Sequence, residues 1–584
     1  MRLTEGSMGL DFHTPKRSPP GPDAFDVSPK RVKAWVEALP IANSGETARL
    51  LFVALREVNT LAVRPADRFR FLESLRGPVE HLSAALERHY IGKPFPLSAR
   101  DQKVAELGRT FQSLMATGYQ ILLEDLATLP GLVLVRKRRL LAVAVHRAVR
   151  YLSRTLLKSY QLYAPYPDNV WRDIHQVYRF AVRARLQHRK VMDDQNSLVR
   201  RTSITQTYKQ ILLLAISSPY RLRQGDVVKL YNALERWASY CRLNPIDTRA
   251  QNWQGLFGVP ADIDDQPKYL DLRQKGQTGR LEWVLDTADL GGVLRDQLEY
   301  LTNPEAVAPA PAAAPPPDIS PQLLRRVMQS WGMMVRREYA RLENSGDYQV
   351  EVALGLSAIH HFLRVEEPKQ EAAETDDEET ELSADSHTPF PWAAIALHKV
   401  RHESVLCRVG DEGAGGYRLL WPGASPAKAQ VGALLAIRRG GAAEDATWPI
   451  GVVRWMRAAE ETSLEVGVQM LAPSAEAIWV RVCNVHGQCG ERLASLLLPA
   501  VEAPPRPEII IGPVFLHNFN TALLARGGRE SMVRFTRVLE NTGSFAQFEF
   551  EPADVQDETA EVTRRAEDEE PEAEGEFDSL WSSF

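Results

Sequence analysis

The chain lacks any run of eighteen apolar residues, so no segment of it is expected to span a membrane as a helix. Cysteine is scarce, with only Cys241, Cys407, Cys483 and Cys489 in 584 residues. That count excludes a disulfide scaffold and suits a reducing compartment, so free thiols are expected. Cys483 and Cys489 flank His486, but a structural zinc site needs four ligands at tighter spacing, so no metal is expected there. The first 22 residues contain Lys16-Arg17 but no apolar stretch, which argues against a secretory leader. Catalytic signatures are missing too: there is no phosphate-binding G-x-x-x-x-G-K-[ST] loop, no G-x-S-x-G elbow and no H-E-x-x-H. His360-His361 is expected on a strand, where adjacent side chains point to opposite faces and do not chelate one metal. These absences predict a cytoplasmic protein that is not an enzyme and needs no cofactor.

What is present is an ordinary soluble composition, 44% hydrophobic and 25% charged, over a length that calls for several domains. The net charge of -5 conceals a strong asymmetry. Residues 366–386 hold ten acids against Lys369, and residues 551–584 hold thirteen acids against Arg564 and Arg565. The remainder of the chain is therefore near +15. A basic body with acidic segments favours anionic ligands or surfaces, and acidic tails also shield such a body and keep it soluble.

Residues 1–24 are polar and rich in proline and glycine, and are expected to be disordered. Helical periodicity dominates residues 25–302, beginning with the cap-and-proline pair Ser28-Pro29. A helix beginning near Ser44, with Ala48, Leu51, Phe52, Leu55 and Val58 on one face, and amphipathic stretches near 65–92, 99–128, 132–160, 166–193, 203–217 and 224–242 predict an all-helical domain, a bundle or a helical-hairpin solenoid. Residues 303–319, rich in alanine and proline, read as a semi-rigid linker. Residues 320–475 start with a helix carrying Leu324, Val327, Met328, Trp331 and Val335 on one face. They then change to short strands, interrupted by the acidic insertion 366–387. The strands expected are Trp392–Lys399, Ser404–Val409, Tyr417–Trp421, Leu434–Arg438, Ile450–Met456 and Leu464–Met470, which imply a small closed barrel. Residues 476–551 form a second strand-rich block, with strands expected at Leu493–Leu498, Glu508–Ile511, Val514–Leu516, Ala522–Ala525, Met532–Leu539 and Phe545–Phe550. Residues 552–584 are an acidic tail expected to be disordered.

Two short motifs stand out. Arg336-Arg337-Glu338-Tyr339-Ala340-Arg341 reads R-R-x-x-x-R at the end of a predicted helix. Guanidinium is planar, always charged and forked, so it can grip the O6/N7 edge of guanine, stack on a base or clamp a phosphate. Alone, the pattern also fits a solvated basic face with Glu338 as a local partner. Asp411-Glu412-Gly413-Ala414-Gly415-Gly416 reads D-x-G-x-x-G between two strands. Its glycines permit positive φ and close approach of a ligand, and Asp411 can accept from a guanine N1–H and amino group. Alone, it also fits a plain hairpin turn. A strand rather than a helix follows, so it is not a dinucleotide-binding fingerprint.

Taken jointly, the arginine motif, the intervening strand, the D-x-G-x-x-G turn and the closing strands resemble the PilZ domain, the receptor module for cyclic di-GMP. Further landmarks agree: Gly416-Tyr417-Arg418-Leu419 after the turn, Val431-Gly432-Ala433-Leu434-Leu435, and Gly451-Val452-Val453-Arg454-Trp455 set against Val466-Gly467-Val468-Gln469-Met470. The resemblance covers about residues 330–475. It implies a six-stranded barrel, cyclic di-GMP as ligand, and a site made of Arg336, Arg337, Arg341, Asp411, Gly413 and Gly416. Arg337 and Arg341 take the R-x-x-x-R positions. Gly413 stands where the family pattern has serine, which removes a hydroxyl contact. The motifs of cyclic di-GMP synthesis and breakdown are absent, so the resemblance implies a reader of the messenger. The order of helical domain, barrel and second small β domain is similar to the FimW type of bacterial cyclic di-GMP receptor. That likeness implies an effector in surface attachment or type IV pilus motility, recruited to a cell pole or membrane-associated machinery. A barrel that has lost its ligand and serves as a scaffold is the alternative.

Two further features concern partners. Arg147, Arg150, Arg154 and Lys158 form a stripe at helical spacing after Arg136-Lys137-Arg138-Arg139. A solvated or protein-docking face is expected of it, and contact with nucleic acid or an anionic membrane is the alternative. The tail ends Glu576-Phe577-Asp578-Ser579-Leu580-Trp581-Ser582-Ser583-Phe584, a candidate docking motif for a protein partner.

Overall fold

The computed structural model describes residues 10–128, 135–246, 256–270, 281–302, 314–332, 342–343, 348–365, 404–413, 415–423, 428–440, 447–459, 463–483, 489–501 and 506–553. The chain forms two compact units, one of residues 1–338 with 455–464 and one of residues 339–454 with 465–584.

The first unit is helical. Its elements are α1 (Pro29–Glu37), α2 (Ser44–Thr60), α3 (Pro65–Glu87), α4 (Ala99–Thr128), α5 (Val135–Gln161), α6 (Val170–Arg183), α7 (Ile204–Ile216) and α8 (Gln224–Trp237). A short hairpin of β1 (Lys190–Met192) and β2 (Arg201–Ser203) joins α6 to α7. Local chemistry sets several starts. Pro29 after Ser28 starts α1, the Asn43 side chain accepts from the Glu46 N–H, and Ser203 and Gln206 form a reciprocal capping box on α7. Helix α7 is buried from Thr207 to Ile216, its apolar second half in the core and its polar Lys209 and Gln210 donating to the Cys241 and Tyr231 carbonyls. Within the region expected to be helical, β3 (Arg242–Pro245), β4 (Leu256–Pro260), β5 (Lys268–Tyr269) and β6 (Leu281–Asp286) form a four-stranded sheet in the order β3-β6-β4-β5.

Three expectations for this unit are corrected. Residues 10–24 are not loose. Phe12 is buried, the Ser18 N–H donates to the Thr60 carbonyl at 2.9 Å, and Thr14 and Arg17 bind Glu124 and Asp125. The Ala/Pro segment does not lead into the barrel. After α9 (Ala288–Thr302), helix α10 (Pro321–Gly332) returns its apolar face to the helical core. Trp331 is buried there, edge-on to Trp237, with its indole N–H donating to Ser217 Oγ at 2.9 Å.

The third correction concerns the stripe on α5. Arg147, Arg150, Arg154 and Lys158 are all buried, so the stripe is no solvated, nucleic-acid or membrane face. It is an internal ladder. Arg147 pairs with Glu73 at 3.2 Å, Arg154 with Glu80 at 2.8 Å and Lys158 with Glu87, all carboxylates of α3. Asp193, fully buried after β1, meets Arg147 and Arg150 at 3.1 Å each and also Arg76. Burial would raise the Asp193 carboxyl, but Arg150, Arg147 and Arg76 hold it below its ordinary value. A buried cation without a partner is too costly to persist, so glutamates spaced seven apart on α3 accompany the stripe.

Among the described residues, the second unit is all-β apart from one helix and short turns. Its first barrel contains β8 (Gln349–Leu354), β9 (Ser404–Gly413), β10 (Gly416–Trp421), β11 (Leu434–Arg439), β12 (Ile450–Ala458) and β13 (Leu464–Ala472). The order β10-β13-β12-β11-β8-β9 is closed by antiparallel pairing of β9 with β10. The short strand β7 (Leu342–Glu343) pairs with the end of β9. The second barrel, of β14 (Glu476–Val482), β15 (Leu493–Leu498), β16 (Ile509–Gly512), β17 (Thr521–Arg526), β18 (Arg529–Asn541) and β19 (Ala546–Pro552), closes in the order β14-β15-β16-β19-β18-β17. The expected order of a helical domain, a six-stranded barrel and a second small β domain is therefore observed, and the last is itself a closed six-stranded barrel.

Four details differ. Residues 356–365 are the helix α11 (Leu356–Val365), not strand, because Leu356, Ile359 and Leu363 repeat at helical spacing and fill a core shared by both barrels. His360 on α11 packs against Trp479 and contacts the Ile478 carbonyl at 3.1 Å. Val514–Asn518 is a 3-10 turn rather than a strand. Strand β14 was not anticipated, and Cys483 and Cys489 at the end of its hairpin are joined as a disulfide rather than standing as free thiols. The strand expected at Trp392–Lys399 and the acidic insertion lie outside the described residues.

Candidate ligand site

The site begins with a tight hairpin. Gly413 pairs with Gly416 across Ala414 and Gly415, so the D-x-G-x-x-G segment ends β9 and opens β10. Gly416 has φ +149°, and a Cβ there would stand 1.9 Å from the Val468 carbonyl oxygen of β13. No other residue fits that crossing of β10 and β13.

This turn sets the register. Gly413 opposite Gly416 puts Glu412 opposite Tyr417 and Asp411 opposite Arg418. The register then shifts between Arg418 and Leu419, leaving Gly410 as the unpaired residue of a bulge. Arg418 folds over that residue, its guanidinium carbon 3.1 Å from where a Cβ on Gly410 would lie. The buried Asp411 accepts from Arg418 Nε at 2.7 Å, and Arg418 Nη1 donates to Glu465 Oε1 at 2.9 Å. The bond to Asp411 first, then that to Glu465, raises the Arg418 guanidinium above its ordinary value against partial burial. The carboxylate of Asp411 is thereby held in one orientation.

Glu412, next along the strand, points to the opposite face. It accepts from the Tyr417 hydroxyl at 3.2 Å and from the Tyr348 hydroxyl. Burial first, and then Glu412, raises both phenols above their ordinary value. The Arg439 guanidinium stacks 5.1 Å over the Tyr348 ring. The rim of the barrel thus presents two carboxylates, each fixed by defined partners, beside a glycine turn that leaves backbone accessible.

Arg336, Arg337 and Arg341 lie outside the described residues. The residue that follows Arg341 does not. Leu342 pairs with Glu412, and Glu343 pairs with Asp411. The strand leaving the arginine motif therefore enters the sheet beside the two carboxylates. Sequence reasoning missed Arg418 as a partner of Asp411, Glu465 as its second acceptor, and Tyr348 as a ligand of Glu412. The first was readable: a two-residue hairpin between Gly413 and Gly416 already places Arg418 opposite Asp411. The second requires knowing that β13 lies beside β10.

No group of three or more potential metal ligands exists among the described residues. Cys241 and Cys407 are buried thiols, each pushed up to about 12 by burial first. No helix among the described residues is long and apolar enough to cross a membrane.

Comparison with known proteins places this geometry in context. Three family models match consecutive parts of the chain: the N-terminal domain of the cyclic-di-GMP receptor FimW over residues 30–248, its middle PilZ domain over residues 256–406 and 397–477, and its C-terminal beta-barrel domain over residues 478–553. The cyclic-di-GMP receptor FimW of Pseudomonas aeruginosa is 28% identical over 606 residues, covering 96% of this chain and 96% of that one. No solved structure matches the chain.

Proposed function

This chain belongs to the FimW family of PilZ-domain cyclic-di-GMP receptors, and from that premise we propose that it binds cyclic di-GMP at the rim of its first barrel. Arg337 and Arg341 grip guanine edges and phosphate, and Arg336 assists them. Asp411, oriented by Arg418, accepts from the N1–H and amino group of a guanine. Gly413 lets the ligand approach the backbone, and Gly416 fixes the turn that presents it through its close crossing with β13. The observation that carries this reading is the pairing of Leu342 with Glu412 and of Glu343 with Asp411, which joins the strand after the arginine motif to the strand before the glycine turn.

The protein acts as a receptor rather than a catalyst, and the P. aeruginosa relative is likewise named a receptor. Binding favours one conformation to the extent that the ligand's affinity differs between conformations. The output is an altered interaction with a protein partner in the cytoplasm, in surface attachment or type IV pilus motility. The loss of a hydroxyl at Gly413 favours a second reading, a scaffold whose barrel no longer binds the messenger.

Titration calorimetry of the full chain with cyclic di-GMP separates the two. Saturable binding is expected. Charged hydrogen bonds contribute about 1.5–3 kcal/mol each, so Arg337→Ala and Arg341→Ala should each weaken binding about tenfold to a hundredfold. Absence of saturable binding, or binding untouched by the double substitution, would support the scaffold.

A further inference from the structure

A cleft of about 750 Å³ opens in the helical unit, remote in sequence from the barrel motifs. One wall is the first turns of α5, with Arg139, Leu140 and Val143. Another is the β1–β2 hairpin, with Lys190, Val191, Met192 and Arg201, and α3 closes it with Phe69 and Glu73. Its volume lies in the range of ligand and peptide pockets.

Its lining is of two kinds. Arg139, Arg189, Lys190 and Arg201 are exposed, and none of them forms an ion pair with a described residue. The carboxylate in the cleft, Glu73, is already held by Arg147 and Arg76. Between these cations lie apolar side chains, and Met192 is 60% exposed. Four cations without an ion-pair partner among the described residues, set around an apolar floor, ask for an occupant with both negative charge and large apolar groups. A simple anion would leave the floor wet, and an apolar peptide would leave the rim without partners.

The chain carries a segment of that chemistry. Residues 567–584, outside the described residues, hold eight acids and no lysine or arginine. Their apolar residues are Phe577, Leu580, Trp581 and Phe584, apart from Ala573. The spacing i, i+3, i+4, i+7 puts the large four on one face of a helix, the anchor pattern of helix-in-groove recognition. The acids lie mainly N-terminal to the anchors, where they also favour a helix dipole.

We propose that the cleft formed by α3, the start of α5 and the β1–β2 hairpin is a docking site for this chain's own acidic C-terminal segment, residues 567–584. Phe577, Leu580, Trp581 and Phe584 lie on the apolar floor, and the preceding acids meet Arg139, Arg189, Lys190 and Arg201. The covalent tether presents the segment at high effective concentration, so individually weak contacts suffice. A partner that takes the same groove must displace the tail.

The test uses a labelled peptide of residues 567–584, read by fluorescence anisotropy against the full chain and against the chain ending at residue 566. The shortened chain is expected to bind at least about tenfold more tightly, because the full chain's own segment competes. Binding should weaken as salt rises. Arg139→Gln, Lys190→Gln and Arg201→Gln together, at exposed positions, should weaken binding to the shortened chain at least about tenfold, as should Phe577→Ala with Trp581→Ala in the peptide. Equal binding to the full and shortened chains, indifference to the cleft substitutions, or displacement of the peptide by millimolar inorganic phosphate would overturn the proposal. A measurement without cleft substitutions stands beside it: amide hydrogen exchange at Lys190–Met192 should be slower in the full chain than in the shortened one, and equal rates would count against docking.

Discussion

Asp193 in the helical unit and Asp411 in the first barrel are both carboxylates held by arginine at the end of a short hairpin. Asp193 is fully buried and faces Arg76, Arg147 and Arg150. Asp411 lies at a barrel rim, its side chain 12% exposed, facing Arg418, which is itself 31% exposed and shared with Glu465. The chemistry of the pair is the same, and its consequence is set by water. Without solvent, three guanidiniums depend on Asp193 for compensation, and the cluster serves the fold. With Arg418 partly in water, the rim pair contributes less to stability, and the oriented carboxylate lies beside the turn where a ligand would bind.

Breaking the buried member should have the largest effect. Asp193→Ala leaves buried guanidiniums uncompensated and should destabilise the helical unit by about 3–5 kcal/mol in urea unfolding. A loss below about 1 kcal/mol would mean that the cluster is hydrated and the contrast false.

Acid should find the same cluster. His146 is buried, accepts or donates at Thr202 Oγ1 at 2.9 Å, and sits beside Arg147, Arg150, Arg76 and Asp193. Burial first, then Arg147, lowers its value from 6.5 to about 3. An unfolded chain protonates this histidine below about pH 6.5, whereas the folded one stays neutral down to about pH 3. The stability due to its neutrality is therefore complete above pH 6.5 and declines as pH falls through that window. At pH 5 the loss should be about 2 kcal/mol relative to pH 7.5, and His146→Gln should flatten that part of the profile. An unchanged profile would show that the ring titrates normally.

The rim pair should respond least in stability. Arg418→Gln should change unfolding free energy by no more than about 1 kcal/mol. Its effect should appear instead in cyclic di-GMP titration, as an affinity loss of about tenfold from a carboxylate no longer oriented. A variant that unfolds, or one that binds normally, would erase the distinction between the two sites.

Much of the architecture was legible because it is written in local periodicity. The helices from Ser44 to Trp237, the strands from Ser404 to Ala472 and the two-residue turn at Gly413–Gly416 follow from apolar spacing, caps and glycine. The differences lie where contacts distant in sequence decide. Leu356, Ile359 and Leu363 repeat at helical spacing, and burial between two barrels holds them as α11 in a region otherwise made of strands. A strand is expected at Val514–Leu516, and the chain forms a 3-10 turn over Val514–Asn518 there. Cys483 and Cys489 gave no sign of pairing, since that requires two strand ends to meet. Of the candidate site, the turn and Asp411 were legible, but the Glu465 contact was not, because β13 and β10 are neighbours only in space.

The basic stripe on α5 marks the boundary most clearly. The sequence alone determined that Arg147, Arg150, Arg154 and Lys158 share a helix face, because 3.6 residues per turn admits no other arrangement. Whether that face met water, nucleic acid or protein was decided by α3 and Asp193, whose carboxylates are brought to it from some 45 to 75 residues away. In the barrel, likewise, the order of residues determined the glycine turn and set Arg418 opposite Asp411, while the packing of β13 beside β10 decided that Glu465 shares that arginine. Periodicity is a property of neighbours along the chain. Burial is a property of neighbours in space, and it is burial that turns a charge into a strut or leaves it as a site.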